Sequence, residues 1–170
     1  MLRTTLAAAA LVLPAALAAQ ASPGVAAARD AWRQMAGYIT RAAEQMPEGE
    51  YAYRPVASVR TFGQQIAHVA GSQRFYCAGV LGDPAPDEDA IEKAASTKAL
   101  LVTAMKESTA YCDRAYALTD AQAAAPASGS GGSKLRALVD NAAHDAEHYG
   151  NLVTYLRIKG MVPPSSQPRR

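Results

Sequence analysis

The only imidazoles in this 170-residue chain are His68, His144 and His148. His144 and His148 stand four residues apart, the spacing at which two side chains leave one face of a helix. Three neutral imidazoles with a coordination position to spare form the donor set of an exchangeable or catalytic site for zinc, or for another borderline metal such as nickel. Spacing alone leaves a plainer reading open, in which each His is a hydrogen-bonded core residue. Asn141, Asp145 and Glu147 surround the pair and are candidates to orient an imidazole or to act as acid or base, although solvated surface charge is an equal reading of Glu147. Gln64 lies one turn before His68, while Tyr149 and Tyr155 read as core or groove-lining residues. Cys77 and Cys112 are the only cysteines, an even pair that admits a disulfide, two buried thiols or a catalytic thiol.

Four helices are needed to position these groups. The first is predicted over Val25–Met46, where Ala28, Trp32, Met35, Ile39 and Ala43 recur at three- and four-residue spacing. The second runs from about Val59 to Leu81 behind Ser58 as N-cap, and Gly82-Asp83-Pro84 ends it. The third covers Thr97–Leu118, with Asp87 to Ala95 either its first turns or a separate short helix. Small residues from Ala123 to Ser133 read as a flexible linker rather than a phosphate loop, because no strand precedes them and Ser133 stands before Lys134 where that motif needs Gly. The fourth helix extends from Lys134 to Lys159 and stops at Gly160. Four helices of about 20 residues without a strand candidate make an all-α, four-helix bundle the default fold.

The ends of the chain distort its bulk properties. Met1 to Ala21 carries one early charge, an apolar stretch from Leu6 to Ala18 and two small-x-small sites, which is the pattern of a cleaved secretory signal. The apolar run is shorter than the ~20 residues a membrane span needs. The division is therefore a signal at 1–21, cleaved between Ala18 and Ser22, a bundle at 22–160 and an extended Pro/Ser/Arg tail at 161–170. A periplasmic or secreted protein without a membrane segment after cleavage is the expectation. Removing Arg3, Arg169 and Arg170 from the 17 basic residues leaves 14 against 15 acidic ones, so the formal net charge of +2 belongs to the ends. A near-neutral body without a basic aromatic stripe argues against nucleic-acid binding. Absence of a Gly-x-Ser-x-Gly elbow argues against a serine hydrolase.

HDAEHYGNLVTYLRIKGMVPPSS, from His144 to Ser166, resembles the last helix of DinB/YfiT-like metalloenzymes, and VRTFGQQIAHVAGSQRFYCAGV, from Val59 to Val80, resembles their second. The resemblance covers the whole mature chain. It implies a four-helix bundle in which one His of the second helix and two of the last bind a divalent metal; by position these are His68, His144 and His148.

The resemblance also bears on the cysteines. Were the second and third helices antiparallel, Cys77 and Cys112 would lie more than about 20 Å apart at ~1.5 Å per residue. Were Asp83 to Ser96 a crossover, the helices would run parallel and bring the two within bridging distance. DinB-like proteins have the up-down-down-up arrangement with a crossover between helices 2 and 3, which implies a Cys77–Cys112 disulfide worth about 2–4 kcal/mol. Some relatives are thiol-dependent transferases or isomerases, so the resemblance implies a metal-dependent thiol transferase or a hydrolase acting on a small molecule. The competing class is a non-catalytic metal-binding or stress-associated bundle. The family's frequent dimers imply a homodimer.

Overall fold

The computed structural model describes residues 23–94, 97–129 and 131–168, so the signal segment, the cleavage region and Arg169–Arg170 lie outside the described residues. Its elements are α1 (Pro23–Gln45), α2 (Phe62–Leu81), α3 (Ala90–Ala94), α4 (Lys98–Ala115), α5 (Asp120–Ala123) and α6 (Lys134–Ile158), with 3-10 turns at Glu48–Glu50 and Pro164–Ser166. The long helices α1, α2, α4 and α6 form the bundle. No strand occurs among the described residues, where one isolated bridge joins Pro126 and Ser133. None of these helices is long and apolar enough to cross a membrane.

Local chemistry sets the helix ends. The second helix starts three residues later than the Val59 expected, because Thr61 rather than Ser58 caps it. Thr61 Oγ1 accepts from the Gln64 amide while Gln64 Oε1 accepts from the Thr61 amide, a reciprocal capping box. Gly82 closes α2 at φ 80°, a conformation that favours glycine. The third helix ends before Leu118 because Thr119 opens α5 with a second capping box to Gln122. From α5, Asp120 reaches the start of α1, where its Oδ1 accepts from the Val25 amide at 2.8 Å.

Contacts between helices fix their directions. Arg33 meets Asp113 and Glu44 meets Lys106, so α1 and α4 are antiparallel. Gln73 meets Ser108 and Cys77 meets Cys112, so α2 and α4 run the same way. Gln65 meets His148 and Asn141 lies over Cys77, so α2 and α6 are antiparallel, while the Tyr38–Tyr149 stack keeps α6 alongside α1. The order is up-down-down-up, and the described residues 82–94 belong to the crossover that the two cysteines require. Cys77 and Cys112 are disulfide-bonded with Cα atoms 5.4 Å apart.

The core lies along the bundle axis, where Trp32 stacks on Tyr116 at 4.3 Å among Ile39, Phe62, Ile66, Met105, Leu138 and Leu152. The loop after α5 is pinned rather than free. Lys134 donates to the Ala125 carbonyl, Ala127 to Gly132, and Ser128 to the Gly79 carbonyl. At the far end Pro163 and Pro164 are buried, and the Ser165 amide donates to Tyr149 Oη at 2.8 Å.

Candidate metal centre

His68 projects from the middle of α2, and His144 and His148 project from successive turns of the antiparallel α6. Nε2 of His144 lies 3.2 Å from Nε2 of His68. The three ring centroids stand 4.4–5.1 Å apart, and one nitrogen of each lies within 4.8 Å of the other two. Two nitrogens bound to one tetrahedral zinc at ~2.0–2.1 Å stand about 3.3–3.4 Å apart, close to the His68–His144 separation. His148 is buried, whereas His68 and His144 are half-buried, so part of those two residues remains accessible.

Hydrogen bonding decides which atoms face the common point. The His148 Nδ1 lies 2.7 Å from Gln65 Oε1, an oxygen that can only accept, so Nδ1 carries the proton and Nε2 keeps its lone pair. Nδ1 of His68 and Nδ1 of His144 are buried without a partner. Without a metal the two Nε2 atoms can share one proton at 3.2 Å; with both protons on Nδ1, both Nε2 lone pairs would face the same point, as a metal ligand pair requires. The donor set thus fits a borderline divalent metal. Burial, the largest cause for all three, lowers the pKa of each imidazole, that of His148 to about 4. Each is therefore neutral, the ligating form, near pH 7.

The surrounding residues take different parts from those their spacing suggested. Gln64 is occupied in the helix cap, and its neighbour Gln65 is the group that orients an imidazole. Asp145 turns into the core: its carboxylate accepts from Gln73 Nε2 at 2.6 Å, its Oδ1 has no partner, and burial pushes its pKa up to about 8. Asn141 donates to Tyr116 Oη at 3.1 Å. Glu147 is exposed. Tyr149 and Tyr155 are structural, the latter donating to the Arg60 carbonyl at 2.5 Å. Tyr76, one helix face along from His68, brings its ring centroid to 5.9 Å from that of His144. Its hydroxyl pKa is raised first by burial and then by Glu88, Asp140 and Glu147.

Sequence reasoning missed Glu88 and Glu92 in the crossover. Glu88 accepts from Ser72 Oγ, and Glu92 pairs with Arg60 at 3.1 Å. Their carboxylates raise the pKa of His68 against the depression by burial and Arg60. An acidic run next to an ambiguous helix start was the only signal, and it does not say where the crossover lands. Two cavities, of about 900 and 400 Å³, lie elsewhere, one between α1 and the C-terminal turn and the other between α1 and α4.

The family profile described as the DinB superfamily matches residues 27–152. The chain belongs to the DinB superfamily. That span includes α2, the crossover and α6 as far as Leu152, hence all three histidines and both cysteines of this DinB protein. No curated protein matches the chain.

Proposed function

We propose that this DinB protein is an exported metal-dependent enzyme whose divalent cation, zinc or nickel, is held by His68, His144 and His148. The observation that carries the reading is the 3.2 Å approach of two imidazole nitrogens in a cluster whose third member is oriented by Gln65. When bound, such a cation supplies Lewis acidity toward a carbonyl or a water. The protein's part is to keep three imidazoles neutral and convergent, and to leave part of His68 and His144 accessible to a small molecule. Tyr76 stands beside His144 with its phenol protonated near pH 7, and is placed to donate a proton to a bound substrate.

Hydrolysis is the preferred chemistry over thiol transfer. The disulfide removes both cysteines as nucleophiles, and the low-molecular-weight thiols that serve the transferases are chiefly cytoplasmic. The disulfide and the Met1–Ala21 pattern together support export. Turnover of ester, amide and thiol-conjugation substrates by chelator-stripped and metal-reconstituted protein tests the reading. Hydrolysis that returns with metal and is lost in His144→Ala is the expected result. Turnover indifferent to metal, or no turnover across the panel, would reject the enzymatic reading.

A further inference from the structure

The larger cavity, of about 900 Å³, lies where the C-terminal segment folds back over α1, away from the histidine cluster. Gln34, Tyr38 and Arg41 line it from successive turns of one face of α1, and Ser165, Ser166 and Gln167 line it from the other side. Hydrogen bonds clip that segment in place. The Ser165 amide donates to Tyr149 Oη at 2.8 Å, Gln167 Nε2 donates to Gln45 Oε1 at 2.9 Å, and Gln45 Nε2 donates to the Val162 carbonyl at 3.2 Å. Tyr149 in turn stacks on Tyr38 at 5.1 Å, and the Arg41 guanidinium stands over the Tyr38 ring at 5.0 Å. The C-terminal wall is therefore fixed to α1 and α6, and the cation is held at the cavity by an aromatic ring.

The chemistry of the lining is one-sided. Arg41 brings a permanent charge and a planar fork of N–H donors, no acidic side chain lines the cavity, and no carboxylate pairs with Arg41 among the described residues. Tyr38, Ser165 and Ser166 add hydroxyls that can donate, and Gln34 adds an amide. Arg41 also borders the smaller cavity, but the other cations there are matched, Arg33 by Asp113 at 2.8 Å and Lys106 by Glu44 at 2.7 Å. A guanidinium fork fits the paired oxygens of a carboxylate or a phosphate. Pro164 and Pro168 supply apolar wall, and a space of this order takes a small organic molecule. We propose that this cavity binds a small organic oxyanion, a carboxylate or a phosphate ester. Arg41 and the hydroxyls of Tyr38, Ser165 and Ser166 hold the charged head, while the apolar body rests against Pro164 and Pro168. The site shares no residue with the histidine cluster between α2 and α6, and it does not depend on the metal reading.

Heteronuclear NMR titrations of the full mature protein with benzoate, phenyl phosphate and uncharged benzamide test this. One or both anions are expected to give saturable shifts at the Ser165 and Ser166 amides and at Arg41 Nε–H, with a Kd of about 1 mM or tighter. The tighter of the two anions identifies the headgroup. Benzamide, which lacks the charge, is expected to bind at least about tenfold more weakly. Arg41→Gln is expected to weaken the anion about tenfold or more, and Tyr38→Phe about 2- to 10-fold. Arg114 is the matched control, a guanidinium 5.6 Å from the Tyr111 ring centre that lines neither cavity. Arg114→Gln is expected to stay within about twofold of the native affinity, because a distant surface charge is screened. His144→Ala is expected to keep the whole response. Absence of saturable shifts with both anions, equal binding of benzamide and benzoate, or equal affinities in Arg41→Gln and Arg114→Gln would overturn the proposal. Shifts that vanish in His144→Ala would move the anion to the histidine cluster and overturn it as well.

Discussion

Gly71→Ala sets two known effects against each other. In an exposed helix interior, Ala is better than Gly by about 0.5–1 kcal/mol because it loses less backbone entropy. At Gly71 the new methyl group would lie 1.9 Å from the Glu88 oxygen and 3.1 Å from its carbonyl carbon. Ordinary contact begins near ~3.5 Å, so the crossover backbone must retreat by about 1.5 Å or distort. Overpacking of this kind costs about 1–3 kcal/mol, which exceeds the helical gain. Gly150 in α6 has open space within 4 Å of where a methyl group would stand, and Gly150→Ala isolates the favourable term. The helical gain is common to both, so the two variants should differ by the overpacking cost, about 1–3 kcal/mol, with Gly71→Ala the less stable. With ~2–4 °C of Tm per kcal/mol in a protein of this size, the gap between them is about 2–12 °C. Thermal melts followed by circular dichroism, with the disulfide intact and metal removed, read this out. Equal stabilisation by both substitutions would refute the close seating of the crossover on α2.

Three further outcomes follow from the same structure. Reduction of Cys77–Cys112, or its replacement by a Ser pair, releases a loop closed over 35 residues and should lower stability by about 2–4 kcal/mol in urea unfolding. Gln65→Ala removes the acceptor that fixes the His148 tautomer and should weaken zinc binding about 10–100-fold in competition titrations, with the fold unaltered by circular dichroism. Asp145 has a folded pKa of about 8, above the ordinary value of 3.8, so the folded state keeps its proton longer and loses stability as pH rises from about 4 through about 8. Asp145→Asn cannot ionise and keeps an acceptor for Gln73, so in metal-free protein its stability relative to native should increase across that window. A flat difference would contradict the buried neutral carboxyl.

The parts of the molecule that local pattern can report were legible. Scarcity and four-residue spacing picked out His144 and His148, and His68 was the one remaining imidazole. Cys77 and Cys112 carried topological information, because a bridge between them is compatible with parallel helices and not with a short antiparallel turn. The Gln64–Gln65 reversal came from a cap: Thr61-x-x-Gln64 moves the helix start past Ser58 and commits Gln64 to the backbone. The start of the second helix moved with it. α5 is only four residues long and leaves no periodic trace, yet Asp120 within it holds the start of α1. Glu88 and Glu92 were out of reach for another reason. Their place depends on the contact of Gly71 with the carbonyl of Glu88, a residue far along the chain that no single window of sequence connects to it.

Metal content tests the account most directly. Mature protein prepared without chelator should carry about one zinc or nickel per chain by elemental analysis, and His144→Ala prepared alongside should carry almost none. Equal metal in the two preparations, or none in either, would contradict a centre built from His68, His144 and His148.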